Sequence, residues 1–203
     1  MAFKFIEQQD LAYNVRRAIP EHLEIFQQWR QDADRYQSER PDALMDLQYG
    51  PDPRHRLDVF PAIGQEAGES SPLAIVIHGG YWQALDKADN RHVCRSLCDA
   101  GWTVALLNYR LCPAVNIGDI CDDVEAATHW LVHKQQEWRL DCTDIALTQR
   151  LESEKPAGFS TNNAAWLTPG VLKWIGLQAQ YPMRIIYTFG HNSPIRRVRW
   201  LNA

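Results

Sequence analysis

From Leu73 onward, short unbroken apolar runs alternate with helix-patterned segments, and no other feature restricts the fold as much. Leu73-Ala74-Ile75-Val76-Ile77, Trp102–Leu107 and Asp144–Thr148 each read as a strand covered on both faces. Between them, Ala88–Ala100 reads as a helix stopped by Gly101. Ile117–Trp138 reads as a long helix with Ile120, Val124, Ala127 and Leu131 on one side. Strand–helix–strand–helix–strand implies parallel strands joined by right-handed crossovers, with helices on both faces, which is the α/β class. In such sheets the chemistry sits beyond the carboxyl ends of the strands. The loops after Ile77, Leu107 and Thr148 are therefore the ones to read for function.

Two elements precede this core. Residues up to about 41 form a helical cap, in which Leu23, Phe26, Trp29, Ala33 and Tyr36 recur at three- and four-residue spacing after Pro20. Pro41 closes it, because the residue before a proline is pushed out of helical space. Packing on the main core is the expected role of this helix; a lid over a pocket is the other role open to it. Next, Leu44–Tyr49 and Arg56–Phe60 read as a hairpin around the turn signal Gly50-Pro51-Asp52-Pro53.

A chain of 203 residues is long enough for one domain with a sizeable core. Its formal net charge of −4 argues against nucleic acid or an anionic membrane surface as the main partner. No apolar run approaches the ~20 residues needed to span a bilayer, and the first ten residues carry no signal-peptide core. A cytoplasmic location is expected. The five cysteines suit reduced thiols rather than a disulfide framework. Cys94/Cys98 and His129/His133 each lie four apart and could each offer two metal ligands, but neither has a partner pair at recognisable spacing. No metal site is expected.

The loop after Ile77 reads His78-Gly79-Gly80-Tyr81-Trp82. Two glycines let the backbone turn sharply and leave N–H groups uncovered. Acyl transfer passes through a tetrahedral oxyanion, and fixed backbone donors lower that barrier by a few kcal/mol. His-Gly-Gly after a buried strand matches the oxyanion loop of esterases. His78 is expected to hold the loop by hydrogen bonding and not to act as general base.

His78-Gly79-Gly80-Tyr81-Trp82-Gln83 resembles the signature of the kynurenine formamidase (arylformamidase) group of α/β-hydrolases, within the esterase/lipase superfamily. The resemblance extends to Tyr13-Asn14, Tyr49-Gly50, Leu57-Asp58-Val59-Phe60-Pro61 and Asn108-Tyr109-Arg110-Leu111-Cys112-Pro113. It implies hydrolysis of N-formylkynurenine to kynurenine and formate in tryptophan catabolism, by a serine nucleophile and without metal or organic cofactor. A small-molecule aryl-formamide or ester is the implied partner. Carried over, Gly79, Gly80 and Tyr81 would offer the oxyanion N–H groups and Trp82 would shape the pocket. Ordinary aromatic core is an equally open reading for Tyr81 and Trp82. A carboxylesterase of a related His-Gly-Gly type and a non-catalytic binding protein are the alternatives.

The same resemblance demands Gly-x-Ser-x-Gly directly after the third buried strand, then an acid, then a histidine. The chain reads Thr148-Gln149-Arg150-Leu151-Glu152-Ser153-Glu154, and Gly-x-Ser-x-Gly occurs nowhere in it. Ser153 and Ser160 lack the small flanking residues an elbow needs. Glu152 and Glu154 come too early for the acid, and His191 is the only later histidine. No catalytic nucleophile, acid or base is identifiable. Composition changes at the same place: seven Lys or Arg against two Glu after Thr148, but 14 basic against 23 acidic residues before it. The expectation is a partial α/β-hydrolase domain over 1–148, comprising the hairpin and the parallel strands. An aberrant tail over 149–203, disordered or read in a shifted frame, would leave the C-terminal half of the fold missing. Only Met183–Thr188 in that tail has a strand pattern.

Overall fold

Strands that are apolar at every position need cover on both faces, and the computed structural model supplies it. The structure describes residues 19–66, 68–151 and 183–189. In chain order the elements are helix α1 (His22–Glu39), strands β1 (Leu44–Gln48), β2 (Arg56–Phe60) and β3 (Ser71–Ile77), two 3-10 turns (Lys87–Asp89 and Arg91–Cys94), helix α2 (Arg95–Asp99), β4 (Thr103–Leu107), helix α3 (Ile117–His133), β5 (Leu140–Leu151) and β6 (Met183–Phe189).

The six strands form one sheet in the order β1-β2-β4-β3-β5-β6. β1 and β2 form the expected hairpin, and β2 pairs antiparallel with β4. From β4 onward the pairing is parallel: β4 with β3, β3 with β5, β5 with β6. Alternation divides the strand residues between two cores. Leu73, Ile75 and Ile77, with Ala105 and Leu107, meet Ile120, Val124, Ala127 and Leu131 of α3. Ala74 and Val76, with Val104 and Leu106, meet Tyr36 of α1 and Cys94, Leu97 and Cys98. Tyr36 stacks on Phe60, with centroids 5.2 Å apart. α1 is thus a core-packing helix along its second half, while Leu23 in its first half is 70% exposed.

Three expectations are corrected. The helix over Ala88–Ala100 is two 3-10 turns and the short α2, because tertiary contacts override the local pattern there. Asp58 of β2 is fully buried and accepts from Lys87 Nζ at 2.6 Å and Arg91 Nε at 2.8 Å. Asp86 caps the segment by accepting from Ala88 N–H, and Asn90 Nδ2 donates back to the Asp86 carbonyl. Lys87 N–H also donates to Asn108 Oδ1 at 2.7 Å, so the segment is held by partners distant in sequence. The long helix ends at His133 and not at Trp138, after which Leu140 N–H donates to the Gln135 carbonyl and Arg139 takes a left-handed φ of 52°. Finally, the third parallel strand does not stop at Thr148. Its backbone stays extended to Leu151 and pairs with β6, from Ile145 opposite Met183 to Leu151 opposite Phe189.

The Asp58 carboxylate has no access to water, so each cation beside it offsets a desolvation cost. Lys87→Met should destabilise the protein by about 3 kcal/mol, since removing one partner strands a buried charge. Urea unfolding of wild type and variant measures the difference.

Candidate oxyanion site

The carboxyl end of β3 runs directly into His78–Trp82. Gly79 and Gly80 are buried, and Gly80 adopts φ +113° with its position so close to the Ala84 carbonyl that a Cβ would overlap it. Only glycine satisfies both conditions. The loop continues through left-handed Tyr81 (φ 49°), Trp82 (φ 63°) and Leu85 (φ 69°). Each such non-glycine residue costs about 1 kcal/mol, so the conformation needs outside support. Within the loop, Gln83 and Ala84 N–H both donate to the Gly80 carbonyl, at 2.9 and 3.0 Å. Among the described residues, the amides of Gly79, Gly80 and Tyr81 donate to no protein acceptor. Three uncommitted N–H groups on consecutive residues can donate hydrogen bonds to an anionic oxygen placed beside them.

His78 is fully buried. Its Nδ1 lies 2.7 Å from the Gly79 carbonyl and donates to it, which leaves Nε2 bare and without a partner among the described residues. Burial pushes its pKa down to about 4, against the weaker opposing effect of the Gly79 bond. The ring is neutral at pH 7. Its surroundings fit a loop-holding role, with the proton committed to a backbone carbonyl. Tyr81 is 59% exposed, whereas Trp82 is half-buried against the α3 core and meets Tyr109 edge-on at 5.6 Å.

The segment after β4, Asn108–Cys112, forms the floor of this loop. Tyr109 lies parallel to His78 with centroids 4.4 Å apart, and its hydroxyl donates to the His78 carbonyl at 2.9 Å. Cys112 N–H donates to the Trp82 carbonyl at 2.8 Å. Asn108 accepts from Lys87 N–H and donates to Asp86, both at 2.7 Å. Arg54, from the β1–β2 turn, donates to the Tyr109 carbonyl at 2.7 Å. Arg110 is held by Asp123 of α3, whose Oδ1 also lies 3.0 Å from His55 Nε2. Sequence reasoning assigned none of these residues a role. Their only signal was position: Asn-Tyr-Arg directly follows a buried strand at the carboxyl end of the sheet.

The loop after β5 behaves differently. Gln149 pairs with Ile77, so Arg150 and Leu151 run past the end of β3 as extended backbone. A nucleophile elbow at this position would be a sharp strand-to-helix turn. Ser153, Ser160, Glu152, Glu154 and His191 lie outside the described residues, as do Tyr13-Asn14 and the basic cluster Arg196–Trp200. Cys94 and Cys98 are buried core thiols, and His129 lies 3.7 Å from Glu125. Among the described residues, no helix is long and apolar enough to cross a membrane.

The family model BD-FAE matches residues 57–149. Kynurenine formamidase of Drosophila melanogaster is 30% identical over 105 residues, which cover 52% of this chain and 31% of that protein. Kynurenine formamidase of Danio rerio is 34% identical over 70 residues, covering 34% and 23%. Among solved structures, a candidate thioesterase from Silicibacter sp. TM1040 superimposes with a TM-score of 0.58 at 29% identity, covering 68% of this chain and 50% of that one. The chain is similar in sequence to kynurenine formamidases and has an α/β-hydrolase fold. It spans about a third or less of the length of those two formamidases. The matched stretch of this hydrolase-type chain contains the β3 loop and its floor and ends at Gln149, where the β5 backbone fails to turn.

Two outcomes follow from the loop geometry. Gly80→Ala should lower stability by at least about 2 kcal/mol, through left-handed strain plus the clash. Gly64→Ala, at φ 78° with open space around it, should cost only about 1 kcal/mol. Thermal unfolding of the two variants side by side checks the contrast. His78, with a folded pKa near 4 against 6.5 for the free side chain, stabilises the fold fully above pH 6.5. Acidification through that window to about pH 4 should remove about 3 kcal/mol, because the unfolded chain binds the proton first. The unfolding free energy of wild type should therefore fall more steeply than that of His78→Asn between those limits.

Proposed function

We propose that this chain carries the oxyanion-binding half of a formamidase-type acyl-hydrolase site and binds a small acyl substrate without turning it over. The observation that carries the reading is the contrast between two neighbouring loops. Beyond β3 stand three uncommitted amides at Gly79, Gly80 and Tyr81, while beyond Thr148 the backbone is straight where a nucleophile elbow belongs. By resemblance, the substrate is an N-formyl arylamine such as N-formylkynurenine, cleaved in active relatives to the amine and formate as a step of tryptophan catabolism. A carboxylic ester or thioester is the second reading, favoured by the structural likeness to the Silicibacter protein. The five free cysteines suit a reducing compartment such as the cytoplasm.

The coincidence of motif loss with the charge reversal after Thr148 supports a shift of reading frame near that codon. The coding DNA through codons 140–203 and beyond, read in all three frames, should reveal Gly-x-Ser-x-Gly followed by an acid and a histidine in another frame. For the protein itself, hydrolysis of N-formylkynurenine and of p-nitrophenyl acetate should stay near the buffer rate. Ser153→Ala and Ser160→Ala should change nothing. Turnover in the purified chain that either substitution abolishes would overturn the reading.

A further inference from the structure

We propose that Tyr109 is a positioning residue that aims the first amide of the oxyanion loop. The proposal rests on reading Gly79-Gly80-Tyr81 as oxyanion donors. A peptide unit is planar, so a carbonyl and the N–H of the following residue turn together. Fixing the carbonyl of one residue therefore fixes the direction of the next amide. The loop uses this three times in succession. The His78 carbonyl accepts from the Tyr109 hydroxyl at 2.9 Å, and that plane carries the Gly79 N–H. The Gly79 carbonyl accepts from His78 Nδ1 at 2.7 Å, and that plane carries the Gly80 N–H. The Gly80 carbonyl accepts from Gln83 and Ala84 N–H, and that plane carries the Tyr81 N–H.

The three clamps differ in origin. The second and third come from the loop's own residues, whereas the first comes from another strand. Tyr109 is suited to it: fully buried, stacked along His78 at an interplanar angle of 15°, and tied through its own carbonyl to Arg54. Its hydroxyl lies 3.4 Å from both His78 Nδ1 and the Gly79 carbonyl. One phenol oxygen thus sits at the junction of the first two planes. Preorganised donors matter because they are already aimed when charge develops, and a plane free to rock loses that advantage.

Tyr109→Phe removes the hydroxyl and keeps the stacked ring. In 1H–15N spectra of the full chain, the Gly79 amide should move while those of Ile75 and Ala105 in the sheet stay in place. Tyr36→Phe, which removes another buried tyrosine hydroxyl bonded to Arg40, should leave Gly79 unmoved. Formate serves as the oxyanion probe: it should shift the Gly79, Gly80 and Tyr81 amides of wild type, with affinity falling about tenfold in Tyr109→Phe, the worth of one buried hydrogen bond. A Gly79 resonance unmoved by Tyr109→Phe, or a change spread evenly over the sheet, would overturn the positioning role. Formate leaving all three wild-type amides unmoved would overturn the oxyanion reading instead, which the ligand-free Gly79 shift does not depend on.

Discussion

A carboxylate with no access to water lies near the centre of this molecule, and much of the site's architecture answers to it. Asp58 sits on β2 between apolar neighbours, where an isolated charge is prohibitively costly. Lys87 and Arg91 neutralise it, and the Asp46 amide adds a hydrogen bond at 2.9 Å. Lys87 also reaches the Asp46 carboxylate at 2.6 Å, which lowers the Asp46 pKa and ties the irregular β1 edge to the same cluster. Lys87 N–H also donates to Asn108 Oδ1, which ties the cation-bearing segment to the residue that follows β4. The same segment is wound as two 3-10 turns, Lys87–Asp89 and Arg91–Cys94.

The second constraint is the segment after β4. Strands β3 and β4 are parallel neighbours, with Ile77 opposite Leu107, so the loops that follow them leave the sheet side by side. The loop after β3 holds several left-handed residues and would not keep that shape alone. Asn108, Tyr109 and Cys112 bond it at its end, beginning and middle respectively. The segment that follows the neighbouring strand thus supplies the outside support that the loop's left-handed residues need.

On the far side of β3 the neighbouring strand takes a different course. With Gln149 opposite Ile77, the chain reaches the level of the loop after β3 still extended and paired to β6. The hydrolase arrangement needs that strand to break into a turn and bring a side chain back over the donors. The loop after β3 is thus bonded to the segment after β4 on one side and has a continuous strand, β5, on the other.

Much of this was legible in the residues. Unbroken apolar runs with helical segments between them could be satisfied only by a sheet covered on both faces, so strand positions, the hairpin and the α/β class followed from hydrophobic pattern. Gly79-Gly80 after a buried strand marked the sharp turn that follows β3, because the backbone at Gly80 requires glycine. Even Met183–Phe189 carried its strand pattern. The winding of residues 87–99, the clamp from Asn108–Cys112 and the course of β5 past Thr148 were not legible. Each is held by partners distant in sequence: Asp58 and Asn108 for the first, the neighbouring β3 loop for the second, and β6 for the third. Local pattern is set by which side chains avoid water, a property each segment carries alone, whereas buried charges and backbone carbonyls choose their partners only once the sheet has brought them together.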